Sequence, residues 1–173
     1  MFISDGKISI RIAEPEDAAQ IYRWENDRSL WRVSETTSPT SMFQIEQFLL
    51  GNGDLASNRQ QRLMICHEDI ASPIGSIDLF DYDPINGRIG IGILIEDAQR
   101  GQGYATTALH LCLDYLFDTL MVHQAHCIVD VTNTASRRVF QKLGFTEGGR
   151  RKDWIKTTEG YLDVVFYQKI NNA

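Results

Sequence analysis

A glycine-rich turn between two regular segments is the first place where residue type and spacing imply chemistry. In Ile91-Gly92-Ile93-Leu94-Ile95-Glu96-Asp97-Ala98-Gln99-Arg100-Gly101-Gln102-Gly103-Tyr104-Ala105 an Ile-rich strand runs into the turn, and the turn opens a long helix. The first four N–H groups of a helix have no partner in the helix and carry partial positive charge. Glycines let that backbone come close to a ligand and take φ > 0, which makes an anion site suited to a pyrophosphate. It is not the Rossmann fingerprint, because Thr106 stands where the third glycine belongs, and no Gly-Lys-Ser/Thr follows to make a P-loop. The preceding strand belongs to an antiparallel meander rather than a βαβ unit. A plain connection that uses two glycines is the competing reading. Gly90 and Gly92 interrupt the same strand and mark a bulge or a close approach to its backbone.

A second segment, Asn133-Thr134-Ala135-Ser136-Arg137-Arg138-Val139-Phe140-Gln141-Lys142-Leu143-Gly144-Phe145, follows the next strand directly. Carboxylates make a third group. Asp78 lies between Ile77 and Leu79 inside a strand, an unusual place for an acid. Asp81 and Asp83 follow at its end, Glu96 closes the glycine-turn strand, and Glu25, Asp27 and Glu35 lie around the exit of the first helix. A solvated surface acid is the default for each, and Asp78 has the strongest claim to a site role. Cys66, Cys112 and Cys127 show no metal spacing and no activating basic neighbours in sequence. They read as buried, reduced thiols, with no acyl-enzyme chemistry implied.

These residues need positioning elements, and periodicity supplies them. Ile8, Ile10 and Ile12 alternate in a first strand; Pro15, with acids around it, starts a helix that runs to Asn26. A second helix carries Phe43, Ile45, Phe48 and Leu49 and ends at Gly51-Asn52-Gly53. Strands follow at 62–67, 74–80 and 88–95, the last two joined by the turn Asp83-Pro84-Ile85-Asn86-Gly87. A helix is expected over 104–120, a strand over 125–131, a short helix over 135–143, and a final pair of strands over 146–155 and 161–170. The pattern is α+β: a mixed, mostly antiparallel sheet of six to seven strands with helices on both faces.

The two glycine- and asparagine-led segments together resemble the GNAT N-acetyltransferase superfamily. Arg100-Gly101-Gln102-Gly103-Tyr104-Ala105 fits its Arg/Gln-x-x-Gly-x-Gly/Ala acetyl-CoA signature, and Asn133 to Phe145 fits its second cofactor segment. The element order agrees from residue 8 to 170, and the similarity is strongest to the branch holding spermidine and ribosomal-protein alanine N-acetyltransferases. The resemblance implies acetyl-CoA as co-substrate and a sheet whose central strands splay. Arg100, Gly101, Gln102, Gly103, Tyr104, Ala105 and Thr106 would form the pyrophosphate site. Ile93, Leu94 and Ile95 would pair by backbone with the pantetheine arm. Asn133, Ser136 and Phe140 would line the pantetheine and reactive end, although Asn133 also reads as a helix N-cap and Phe140 as core. Phe140, Gly90 and Ile128 stand where relatives carry a tyrosine acid or a carboxylate base, so those functions do not transfer.

Acetyl transfer to an amine has its own demands. An amine of pKa about 10.4 is roughly 0.1% neutral near pH 7.4, a gap worth on the order of 4 kcal/mol. The charge developing on the thioester oxygen needs a donor, for which a backbone N–H of the splayed strand near Ile93 or Leu94, with Leu94 preferred, is expected. A thiol of pKa about 8.5 leaves without much help, and Tyr104 or water is the remaining proton source. Asp78 is the candidate base or amine holder, with Glu25, Glu35 and Asp81 in the acceptor region, while Trp154 and Tyr161 could wall it.

Composition narrows the class. The 173 residues carry a net charge of −6 and 43% hydrophobic residues, which fits one domain over 1–173 and disfavours broad phosphate neutralisation of nucleic acid. No apolar run reaches the roughly eighteen residues of a membrane span, and no signal peptide is evident, so a cytoplasmic protein without membrane or metal partners is expected. Relatives are often oligomeric, so a homo-oligomer is open. Residues 1–87 hold 7 Lys/Arg against 14 Asp/Glu, and residues 88–173 hold 10 against 9. The acidic half carries the acceptor region, which favours a small cationic amine such as a polyamine. A protein N-terminal amine and a non-catalytic acyl-CoA-binding module are the alternatives.

Overall fold

The computed structural model describes residues 3–31 and 38–172. Its strands are β1 (Ile3–Ser4), β2 (Ile8–Ile12), β3 (Gln61–His67), β4 (Ile70–Asp83), β5 (Arg88–Ile95), β6 (Gln124–Asp130), β7 (Thr146–Thr157) and β8 (Gly160–Ile170). The helices are α1 (Ala18–Asn26), α2 (Met42–Gly51), α3 (Leu55–Asn58), α4 (Tyr104–Asp114) and α5 (Thr134–Lys142). One sheet runs in the order β1-β2-β3-β4-β5-β6-β8-β7, and every pairing is antiparallel except β5 with β6. That is one strand more than periodicity marks, because β1 has only two residues. The helix expected over 104–120 turns from α-helix to a π turn at Tyr115–Thr119, where Leu120 donates to the carbonyl of Tyr115. Among the described residues no helix is long and apolar enough to cross a membrane.

Period-two alternation assigns each strand residue to one of two layers. Ile8 and Ile10, Leu63 and Ile65, Ile77 and Leu79, and Ile89 and Ile91 point to one face and are at most 2% exposed. There they pack with Ala108, Leu109 and Cys112 of α4 and with Phe140 of α5. Met64 points to the other face, into a smaller cluster with Ile21 and Trp24 of α1 and Ile45 and Leu49 of α2. Helices therefore cover both faces.

The entry to α1 is fixed electrostatically. Pro15–Asp17 forms a 3-10 turn, and buried Asp17 accepts from Arg11 at 2.6 and 2.7 Å and from the Glu14 amide at 2.9 Å. Burial opposes the Asp17 charge, but Arg11 and the amide outweigh it and hold its carboxyl below the usual range. The far side of α1 is tied to the sheet by Glu96, just past β5, which accepts from Gln20 Nε2 at 2.6 Å and Trp24 Nε1 at 2.9 Å.

Among the described residues one seam is parallel, and there the sheet opens. β5 and β6 are in register at Arg88–Gln124, Ile89–Ala125 and Gly90–His126, and no further. Beyond Gly90 the strands part, and the splay implied by the family resemblance is present.

Candidate active site

The parting of β5 from β6 leaves backbone groups without a strand partner, and alternation decides which. Glu96 N–H donates to the Ile74 carbonyl on β4, and Leu94 sits two residues back, opposite Ser76 in the same ladder. The Leu94 N–H is therefore turned toward β4, while that of Ile93 faces the crevice. This corrects the expectation that placed the oxyanion donor at Leu94. Among the strand residues expected to pair with a pantetheine arm, Ile93 and Ile95 present backbone to the crevice and Leu94 does not. The Ile95 carbonyl already accepts from Arg100 Nε at 3.0 Å.

A cavity of about 770 Å³ follows the open edge of β5 to the N-terminus of α4. Gly101 and Gly103 have φ of 77° and 84°, and a Cβ on either would meet nothing of the protein within 4 Å. The backbone is left-handed there, and the space a side chain would take is open to a ligand. The first intrahelical bond is Thr107 N–H to the Gly103 carbonyl, so the N–H groups of Tyr104, Ala105 and Thr106 have no helical acceptor. Asn133 and Ser136 line the opposite wall. Asn133 is also an N-cap, accepting from the Ser136 amide at 3.1 Å, so both of its readings stand. Gln102 departs from expectation: its side chain accepts from Tyr104 Oη at 3.1 Å on the exposed side and does not line the cavity. The Tyr104 hydroxyl is thereby engaged by Gln102, while Tyr104 itself lines the cavity.

A smaller crevice of about 60 Å³ lies between the splayed strands, lined by Ile93, Ile128, Asn133, Ser136 and Phe140 among others. Phe140 is 2% exposed and meets Phe145 edge-on at 5.1 Å. It is core packing that also floors the crevice. Cys127 borders the crevice with its thiol pushed up by burial, and burial pushes buried Cys112 up to about 12, so neither supplies a thiolate. Cys66 does have a basic neighbour, contrary to the sequence reading, because strand pairing brings Arg11 beside it. It lies outside both spaces described so far and outside the acceptor cavity below.

The third space, about 360 Å³, lies on the α1–α2 side of the sheet and shares Ile93 and Leu94 with the large cavity. Trp24, Glu25, Phe48, Arg62, Asp78 and Phe80 supply its side chains. The mid-strand acid now has its reason: Arg62 donates through Nε and Nη2 to the two Asp78 oxygens at 2.6 and 3.1 Å, and through Nη1 to Glu25 at 2.7 Å. Each Asp78 oxygen keeps a lone pair, and its side chain is 38% exposed. Sequence reasoning missed Arg62; the cross-strand register Arg62–Asp78 that joins them leaves no trace in either segment alone. Gly90 is accounted for by the protein itself, since a Cβ there would lie 2.3 Å from the Phe80 ring.

The remaining candidates lie elsewhere. A bulge between Phe80 and Asp83, with Asp81 at φ 50°, turns Asp81 out of the acceptor cavity. It borders a separate space of about 500 Å³ beside His126 and Arg59. Burial pushes the His126 ring down, and Asp81 only partly opposes this. Trp154 and Tyr161 are 52% and 59% exposed and line none of the four spaces described; Arg151 stacks on Trp154 at 4.6 Å. Glu35 lies outside the described residues.

Known proteins match this geometry. The family model described as "Acetyltransferase (GNAT) domain" matches residues 7–146. A spermidine N(1)-acetyltransferase of Vibrio cholerae is 25% identical over 161 residues, covering 92% of this chain and 91% of that one. The crystal structure of a spermidine N-acetyltransferase from Vibrio cholerae in complex with CoA and spermine superposes with a TM-score of 0.86 at 23% identity, covering 96% of each chain. A ribosomal-protein-S5-alanine acetyltransferase from Vibrio fischeri gives 0.87 at 18% identity, covering 99% of this chain and 98% of that one.

Proposed function

The chain belongs to the GNAT acetyltransferase family, and from that premise we propose that it transfers acetyl from acetyl-CoA directly to the primary amine of a small cationic acceptor, polyamines included. One observation carries the reading: the 770 Å³ and 360 Å³ cavities meet at Ile93, the residue whose N–H faces the crevice. Acetyl-CoA fits the larger cavity. The free N–H groups of Tyr104, Ala105 and Thr106 suit a pyrophosphate, and the open edge of β5 suits an extended arm that pairs as a strand would. The relatives that act on spermidine and the solved neighbour holding CoA and spermine support the same choice.

In this reading the co-substrate supplies an activated acyl group, and the chain supplies geometry. Ile93 N–H points at the site where negative charge develops on the thioester oxygen. Asp78 holds the acceptor through its two remaining lone pairs and takes the proton the ammonium must lose. Phe140 has no proton to give, and the departing thiolate, with pKa about 8.5, is protonated from solvent.

A thiol-release assay with acetyl-CoA against a panel of alkylamines, diamines, spermidine and peptide N-termini tests this. Turnover with small amines supports the proposal. Turnover with peptides alone would move it to the protein N-terminal class. Silence on every amine, with tight acetyl-CoA binding, would leave an acyl-CoA-binding module.

A further inference from the structure

Two glycines, Gly90 and Gly92, interrupt the isoleucines of β5, and packing accounts for the first, which lies under the Phe80 ring. Gly92 has no such need. Its φ lies outside the left-handed region. Among the described residues, the nearest atoms that a Cβ would meet are Asp78 Cβ at 3.8 Å and Phe80 Cε1 at 3.9 Å, both ordinary contacts. Inside a strand, glycine is less stable than alanine wherever alanine fits. The fold therefore gives no reason for a glycine at this position.

Its place in the sheet supplies one. Strand register sets Arg62, Asp78 and Gly92 side by side in one row across β3, β4 and β5, and cross-strand partners share a face. Arg62 occupies one flank of Asp78, donating to both of its oxygens. The other flank faces Gly92, and beyond Gly92 the sheet is parted, because β5 and β6 pair no further than Gly90–His126. Gly92 lines both the acceptor cavity and the 60 Å³ crevice between the strands, as do Ile93 and Ile128. Resting on the amine-acetyltransferase reading above, we infer that Gly92 is the aperture between the two spaces. Its missing side chain leaves the path by which an amine held at Asp78 reaches the thioester beside the Ile93 N–H. There the nitrogen, its first proton passed to Asp78, bonds to the carbonyl carbon. The C–S bond breaks, the sulfur leaves as thiolate, and the second proton goes to solvent. A methyl group at Gly92 would stand against the flank of Asp78 that the nitrogen must leave from.

The test needs no turnover. Calorimetry compares CoA with a conjugate in which an acetamide link joins the CoA sulfur to the nitrogen of hexylamine, so that it must run through the aperture. Wild type is expected to bind the conjugate at least about tenfold more tightly than CoA. Gly92→Ala should fold with a Tm at or above that of wild type and keep its CoA affinity within about twofold, yet lose at least about fivefold of the conjugate's advantage. The inference is overturned if wild type binds the conjugate no better than CoA, or if Gly92→Ala keeps the full advantage. A Gly92→Ala protein that fails to fold overturns it too, since the fold itself would then require the glycine. Failure of the transfer reading looks different: wild type turns over no amine, yet the advantage of the conjugate and its dependence on Gly92 remain.

Discussion

At Ile93 and Leu94 a one-residue shift decides whether a peptide N–H faces a crevice or a neighbouring strand, and neighbours of such similar chemistry cannot be ranked without the register. Gly90 and Gly92 hinted at a close approach to this strand, and the family resemblance implied that 93–95 face the ligand; the choice within that stretch depended on Glu96 bonding to Ile74. Asp78 shows the same limit from the other side. An acid in mid-strand was readable as an anomaly, but its partner Arg62 comes from another strand, and the pairing is a tertiary fact. Two residue-level outcomes follow. Gly103→Val forces a β-branched residue into φ 84°, costing about 1–2 kcal/mol of stability, and fills the cradle. Acetyl-CoA affinity by calorimetry should fall by about tenfold or more, and an unchanged affinity would remove the pyrophosphate assignment. Asp78→Asn keeps the shape but removes the charge; kcat/KM for amines should drop by about 10²-fold, with acetyl-CoA affinity unaltered. Wild-type kinetics in that variant would take Asp78 out of the site.

The long elements were legible because apolar alternation and helical spacing run for several turns or pleats. β1, with two residues, and α3, with four, are too short to carry a period, and both escaped notice. The joints between elements were half legible. Pro15 announced the start of α1, but the ion pair that fixes it lies between Arg11 and Asp17 across the turn. Its pH behaviour has a definite sign. The Asp17 carboxyl lies below its unfolded value of about 3.9, so its stabilisation is present above that pH and is lost as pH falls toward the folded value. Asp17→Asn should destabilise by about 1.5–3 kcal/mol at neutral pH and flatten the acid limb of stability measured by urea denaturation between about pH 5 and 2. An acid limb as steep as wild type would assign that pH dependence to other carboxylates. Glu96 makes a second joint, holding Trp24 above the acceptor cavity. Glu96→Leu, which strands Trp24 Nε1 and Gln20 Nε2, should raise the amine KM more than it lowers kcat; a pure kcat effect would contradict a positioning role.

For the molecule as a whole, the division of charge between its halves is a sequence property that the fold puts to use. The first 87 residues, net −7 by the counts above, supply α1, α2, β3 and β4 and with them much of the acceptor cavity. The later half supplies the glycine turn and α5, which face the larger cavity. A cationic acceptor approaches a surface of opposite sign, so kcat/KM for a cationic amine should fall as salt rises from about 0.01 to 0.5 M, where the screening length shrinks from about 30 Å to a few ångströms. A salt-independent value would mean that local contacts alone draw the acceptor in.

The three-pair parallel seam between β5 and β6 has a mechanical meaning as well. Among the described residues it is the only place where strands β1–β5 hydrogen-bond to strands β6–β8, which makes it the natural line along which the empty protein breathes. A molecule laid into the gap acts as a clasp across both halves. At a hundredfold excess over its dissociation constant, CoA should raise stability by about 2.7 kcal/mol. The slowing of amide exchange should concentrate at Ile93, Ile95 and the first turn of α4, so that the protein is least able to come apart while it is loaded to work.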